Sequence, residues 1–423
     1  MRTVRWLGAG LAGFGLLAIL VLTLVPNPRQ TPMSDHTPLL CLVCGESGMA
    51  DVVLNLLLFM PLAAGLALLG WRWTRVLAAC AILSLGVETA QYFLVTGRDA
   101  SLSDILTNTA GGALAAALAR RLGLLLAPGP ALAGRLAPAG AAAWLGLLAF
   151  TAAALQPWAP AGPLRNYCSA AYPTAEVFGG TARRMALDGV PLSCEREVGN
   201  AAALARQLRR GRFTLETVAE SVEPERRKVV HVVRSPHASL VVLAQHARAA
   251  VFQAPVAAQA VRLFAPSVRL PRAFPRRAGA PVSLVGESLE GRRLRLTSVH
   301  EGEHRSVALA LSPSYGWTLL FGGGLVPGRG LSLAAALWLA ALILPAAYWA
   351  GLAARPARAF GSLAVAAIAG LGVLPALTGF EPVHWSEWAG AGAGIALGWA
   401  LSRIAAYLQS RCGSPSTSAY SSS

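Results

Sequence analysis

Asp51 and Asn55, Glu88 and Gln91, and Asp104 and Asn108 form three polar pairs, spaced three or four residues apart within otherwise apolar stretches of the first 122 residues. On a helix, either spacing puts both members of a pair on one face. An ionisable residue near mid-bilayer costs roughly 2.5–3.5 kcal/mol on insertion scales, so it is kept there for a reason. Three chemistries fit. Carboxylates and amides around one outward opening would hold a polar or cationic headgroup. A buried glutamate would serve as general acid or base on a lipid-linked substrate. Alternatively, the polar groups simply hydrogen-bond helices together, with Gly111-Gly112 allowing close approach. Asp51 and Asp104 stand where their helices are expected to begin, so capping of exposed N–H groups could account for both. Glu88 lies deeper, with Gln91 one turn nearer the surface, and capping does not explain it. Arg98, in the loop that follows, would pair with the carboxylates.

The elements that must position these residues are membrane helices. The chain has 423 residues, is 55% hydrophobic and 13% charged, and has a mean hydropathy of +0.52. That charged share is about half of a soluble domain's. Hydrophobic runs near 6–25, 52–71, 76–95, 104–126, 140–158, 331–353, 359–379 and 387–407 predict eight spans. The first follows Arg2 and Arg5, runs about 20 residues and lacks a small-x-small cleavage site, so it reads as a retained span. The net charge of +16 is almost all arginine, with Lys228 the single lysine. Loop cations explain it, nothing resembles a nucleic-acid module, and no nucleic-acid partner is expected.

The positive-inside rule places the N-terminus, Arg72/Arg75, Arg120/Arg121/Arg135, Arg355/Arg358 and Arg403/Arg411 in the cytoplasm. Both termini are then inside, and segments 26–50, 96–103, 159–330 and 380–386 face out. The long middle segment alternates apolar and polar residues over 213–218, 228–233, 239–243, 293–297 and 306–311, with Pro/Gly/Arg turns between, which predicts a β-sandwich. The expected fold class is therefore a mainly α transmembrane helix bundle of about eight spans, N-in and C-in, with an inserted extracytoplasmic all-β jelly-roll-like sandwich. Its parts are a four-helix domain over 1–126, a fifth helix at 140–158, an external region over 160–325 with the sandwich at about 205–325, three helices over 331–408, and a Ser/Pro/Thr tail at 409–423 that is expected to be disordered and cytoplasmic.

An oxidising exterior permits disulfides in the external segments. Cys168 with Cys194 is a candidate bridge, and Cys41-Leu-Val-Cys44 either closes a tight disulfide, stays as thiols, or joins Asp35 and His36 as metal ligands. Metal is the least favoured of these, and no metal or other cofactor is expected. His300, Glu301, Glu303 and His304 are clustered, but the flanking strands suggest a hairpin turn that splays them apart, without the His-Glu-x-x-His order of zinc proteases. Glu381, His384 and Glu387 are expected at the membrane surface, and most tryptophans are expected as interface anchors.

Residues 51–61 read Asp-Val-Val-Leu-Asn-Leu-Leu-Leu-Phe-Met-Pro, followed by Ser84-x-x-x-Glu88-x-x-Gln91, Arg98, and Ser103-Asp104-Ile105-Leu106-x-Asn108-Thr109-x-Gly111-Gly112. Over about residues 10–122 this resembles the VanZ-like family, whose founding member is associated with teicoplanin resistance. Ala63-Ala64 departs from the Leu-Gly common there. The resemblance implies a membrane location and a link to the cell envelope, but no reaction. More faintly, Gly211-Arg212-Phe213-Thr214-Leu215-Glu216 and Gly291-Arg292-Arg293-Leu294-Arg295-Leu296 are similar to concanavalin/laminin-G-like jelly rolls, which implies binding of a glycan or protein. Some such domains use calcium, but the Asp/Asn cluster it needs is not found. The leading expectation is a multi-pass protein of a bacterial cytoplasmic membrane whose sandwich engages an envelope glycan or protein while its bundle holds a lipid or lipid-linked headgroup. The alternatives are a membrane enzyme with Glu88 as acid/base, and a small transporter.

Overall fold

The structure is a computed structural model describing residues 2–25, 43, 45–95, 101–168, 176–178, 180–193, 196–198, 201–220, 227–236, 238–277, 279–321 and 329–412. It divides into two compact units, 1–121 with 153–311 and 315–327, and 122–152 with 312–314 and 328–423.

The first unit opens with four helices: α1 (Arg2–Leu24), α2 (Gly48–Leu68), α3 (Trp73–Leu94) and α4 (Leu102–Arg120). Their core is Ile19, Phe59, Leu62, Ala63, Val76, Cys80, Val87, Ala115 and Ala116. Small residues set the spacing. A Cβ on Gly15 would fall 2.4 Å from Leu62 N, and one on Gly65 2.4 Å from Ala12 N, so α1 and α2 touch backbone to backbone. Such contact is the main source of packing energy where lipid removes the hydrophobic drive between helices.

The sandwich of this unit has two sheets. The strands are β1 (Arg165–Cys168), β2 (Glu176–Val177), β3 (Ala182–Leu187), β4 (Val190–Pro191), β5 (Arg196–Glu197), β6 (Phe213–Glu220), β7 (Arg227–Arg234), β8 (Ser239–His246), β9 (Ala249–Gln253), β10 (Ser267–Leu270), β11 (Pro281–Leu289), β12 (Arg293–His300) and β13 (Glu303–Ala310). One sheet runs β10-β9-β8-β7-β1-β5, with β2 pairing parallel to β7; the other runs β13-β12-β11-β6-β3-β4. The strands expected from alternation are all present. However, the sandwich begins at Arg165 rather than near 205, because β1 pairs with β7 and β3 with β6. The short helix expected near 200–208 is α7 (Ala201–Arg210). Between the sheets, Phe252 contacts Phe213 edge-on and lies where a Cβ on Gly286 would be, 2.4 Å from its ring. Glu301 and Gly302, at φ 49° and 77°, turn β12 into β13. The hairpin leaves His300 buried and His304 exposed, splayed as expected.

One loop ties the helices to the sandwich. Glu46 accepts hydrogen bonds from Ser239 Oγ at 2.8 Å and Arg234 Nη2 at 3.4 Å. The Arg262 guanidinium donates to the Val43 carbonyl, and the Met49 N–H donates to the Arg262 carbonyl at 3.1 Å. Short α8 (Thr318–Phe321) completes this unit.

The second unit contains α5 (Leu122–Leu126), α6 (Pro130–Ala154), α9 (Arg329–Leu352), α10 (Pro356–Ala367), α11 (Leu374–Thr378) and α12 (Trp385–Cys412). A π-turn over Ile368–Val373 joins α10 to α11. Gly390, Gly394 and Gly398 lay α12 along α9: a Cβ on each would come within 2.4, 2.5 and 2.6 Å of the carbonyls of Ala336, Ala340 and Leu344. Trp144 is buried in this unit's core rather than anchored at an interface.

Seven of the described helices are long and apolar enough to cross a membrane. The helix at 102–120 is not among them, since Asp104, Thr107, Asn108 and Thr109 lower its apolar character. It also ends at Arg120 instead of running to 126, and the helix expected at 140–158 begins earlier, at Pro130.

Candidate functional site

Where α2, α3 and α4 meet, the backbones come close because Gly111 and Gly112 stand on the facing side of α4. A Cβ on Gly111 would lie 2.1 Å from the Leu56 carbonyl oxygen, and one on Gly112 2.7 Å from Cys80 Sγ. At that separation short side chains bridge directly. Asn55 Nδ2 donates to Asp104 Oδ1 at 2.8 Å, joining α2 to α4. Asn108 Nδ2 donates to Ser84 Oγ at 2.9 Å, joining α4 to α3. Glu88 Oε2 accepts from the Ser101 N–H at 2.8 Å, tying α3 to the start of α4. Gln91 turns away and donates to the Thr23 carbonyl of α1 at 3.0 Å.

The polar residues therefore do not act as pairs along one helix. Each couples two helices, and together they form a seam. Glu88 is 5% exposed, Gln91 7% and Asn108 3%, while Asp51 is exposed in the first turn of α2. Ser101 is the N-cap of α4, its hydroxyl accepting from Ser103 N at 3.2 Å, and Asp104 follows in the first turn, where its charge opposes the positive helix end. Ser84 and Ser101 are members of the seam that spacing alone did not single out. Ser84 stands four residues before Glu88 on the same face, which was the available signal.

Among the described residues, Glu88 has the single donor Ser101 N–H, and Asn108 Oδ1 is buried with none. The Asp104 carboxylate is near enough to act on Glu88 through its charge. A buried acceptor without a donor costs about 1–3 kcal/mol. A group that donates hydrogen bonds would relieve it.

Arg98, Cys41, Cys44, Cys194, Asp35 and His36 lie outside the described residues. Cys168 is disulfide-bonded. Among the described residues no group of three or more His, Cys, Asp or Glu could hold a metal ion. In the second unit Glu387, in the first turn of α12, is 2% exposed and accepts from Ser312 Oγ at 2.7 Å, so it is a buried acceptor.

A family model described as VanZ/LLP1 matches residues 14–126, just over a quarter of the chain. The match runs from within α1 through α2, α3, α4 and α5, and leaves out the sandwich and the rest of the second unit. No curated protein matches, and no solved structure does. The apolar helices and the VanZ-type segment mark a multi-pass membrane protein with a β-sandwich between its helices.

Proposed function

We propose that this is an envelope-associated protein of a bacterial cytoplasmic membrane whose α2–α4 seam holds the hydrogen-bond-donating headgroup of a lipid or lipid-linked precursor. The observation that carries this reading is the buried Asn108 Oδ1, which among the described residues has no donor, near a glutamate that has one. An amine or hydroxyl of a headgroup would donate to both. In this reading the sandwich is extracytoplasmic, of concanavalin/laminin-G-like kind, and engages an envelope glycan or protein. A link to teicoplanin susceptibility follows if the bound precursor is one that glycopeptides also recognise.

Purified full-length protein should carry a defined lipid or lipid-linked species, identified by mass spectrometry of its extract. Glu88→Gln keeps a hydrogen-bond acceptor and should lower retention only about threefold, whereas Glu88→Ala should lower it about tenfold or more. Equal retention in wild type and Glu88→Ala, with the protein normally folded, rejects the seam as a binding site. If a turnover is found and Glu88→Gln abolishes it, Glu88 works as an acid or base instead.

Orientation is tested separately. If α4 crosses the membrane despite its polarity, the chain has eight crossings with both ends inside. A cysteine placed at Ser306, exposed on β13, should then react with an impermeant thiol reagent from outside. Labelling only after the membrane is opened would reverse the assignment.

A further inference from the structure

We infer that the second unit carries a separate binding site for the phosphate of an anionic phospholipid, in the groove between the starts of α6 and α10. The cavity has a volume of about 310 Å³ and is lined by Arg135, Arg355 and Arg358 beside apolar Pro130, Pro138 and Ala359. The Ala354 N–H donates to the Pro130 carbonyl at 3.2 Å, fixing the α9–α10 turn against the first residue of α6. Two helix N-termini, each with no acidic residue in its first turn, therefore open on one groove.

The electrostatics of this end are unbalanced. Helix N-termini are positive and favour anions, yet Arg355 stands at the N-cap of α10 and Arg358 in its first turn, the wrong end for a cation. Arg355 makes no side-chain capping bond. Among the described residues none of the three arginines forms an ion pair. The unit's only acidic residues, Glu381 and Glu387, come after the far end of the Pro356–Thr378 segment, about 35 Å away at helical rise. No carboxylate of the unit neutralises the cluster, and its three exposed guanidiniums are open to an external anion.

The surroundings favour a lipid over a free ion. Below the arginines the same face of α10 continues to Val365, which is 67% exposed, in a helix apolar enough to lie in a bilayer. A phosphate among the guanidiniums with acyl chains along this face matches both halves of the surface. A preference for positive charge on one side of the membrane would explain cations here, but it would not call for two helix N-termini at the same place.

The experiment is native mass spectrometry of the full-length protein in detergent, titrated with phosphatidylglycerol, phosphatidylcholine or inorganic phosphate. Wild type should retain phosphatidylglycerol about tenfold better than phosphatidylcholine. Arg355→Gln/Arg358→Gln should remove the preference, and Arg355→Lys/Arg358→Lys, which keeps the charge but loses the planar fork, should reduce it. Arg135→Gln, on a different helix, should weaken it independently and serves if the double variant does not fold. An unchanged preference in Arg135→Gln and in a folded double Gln variant overturns the site. Arginine-dependent binding of inorganic phosphate without preference for phosphatidylglycerol overturns the lipid assignment.

Discussion

Replacing Gly111 with alanine should destabilise the helical part of the protein by about 3 kcal/mol, although the same change in an exposed helix would stabilise it by up to about 1 kcal/mol. The sign is set by one contact: the new Cβ would stand 2.1 Å from the Leu56 carbonyl oxygen, which is backbone and has no rotamer to escape into. Relief requires α4 to move away from α2. That movement lengthens the 2.8 Å bond from Asn55 to Asp104 and the 2.9 Å bond from Asn108 to Ser84, each worth about 0.6–1.7 kcal/mol in a membrane protein. Gly86→Ala is the matched control, since a Cβ there meets nothing within 4 Å. Thermal unfolding of the purified variants should show a large loss for Gly111→Ala and none for Gly86→Ala. Equal melting of both would mean that α2 and α4 do not make this approach.

Acidification should weaken the sandwich through His231. This side chain is fully buried on β7, across from Cys168 of β1 and Leu243 of β8. Its ring Nε2 is hydrogen-bonded to Asn166 Oδ1, and Asn166 Nδ2 donates to the Ser193 carbonyl at 2.9 Å. Because Asn166 offers its oxygen, His231 Nε2 carries the proton and Nδ1 is bare; among the described residues Nδ1 has no partner. A second proton would place a charge there without solvent, and burial accordingly pushes the pKa from 6.5 down to about 4. The folded value is depressed, so the unfolded chain binds the proton more readily. The stability is then fully present above about pH 6.5 and is lost as the pH falls towards 4, by about 1.4 kcal/mol per unit and about 3 kcal/mol in total. Melting curves of full-length protein between pH 7.5 and 4.5 should follow this slope, and His231→Gln, which cannot take up the proton, should flatten it. A wild-type slope no steeper than that of the variant would remove His231 as the cause.

The helices were legible because their apolar runs are long, and the larger strands because alternation persists for six residues or more. What escaped was structure decided by partners. β2, β4 and β5 are two residues each, and β1 is four. No periodicity can be read over such lengths; they are strands because β7, β3 and β1 lie beside them. The start of α6 was missed for a different reason. Arg135 and Pro138 interrupt the apolar pattern, yet proline at the first helical position, Pro130, is compatible with a helix start. In the seam, spacing grouped Asp104 with Asn108 and Glu88 with Gln91, but it could not say which helix each residue meets, and the members of each pair bond to different helices. Asp104 is acidic and early, but Ser101 holds the N-cap position and Asp104 acts on the helix end from the first turn. Glu387 was read from its nearness to a loop, whereas its burial depends on Ser312, 75 positions earlier in the chain.

The Glu46–Arg262 loop has a consequence for the order in which the protein is made. Its α1–α2 connection is among the first segments to leave the ribosome, but the side chains that hold it arrive much later, 188 positions on for Arg234, 193 for Ser239 and 219 from Val43 to Arg262. Until β7, β8 and the segment after β9 have been synthesised and folded, the entry to α2 has none of these restraints. The first helices are thus placed early and fastened late, and the step that fastens them is completion of a sheet.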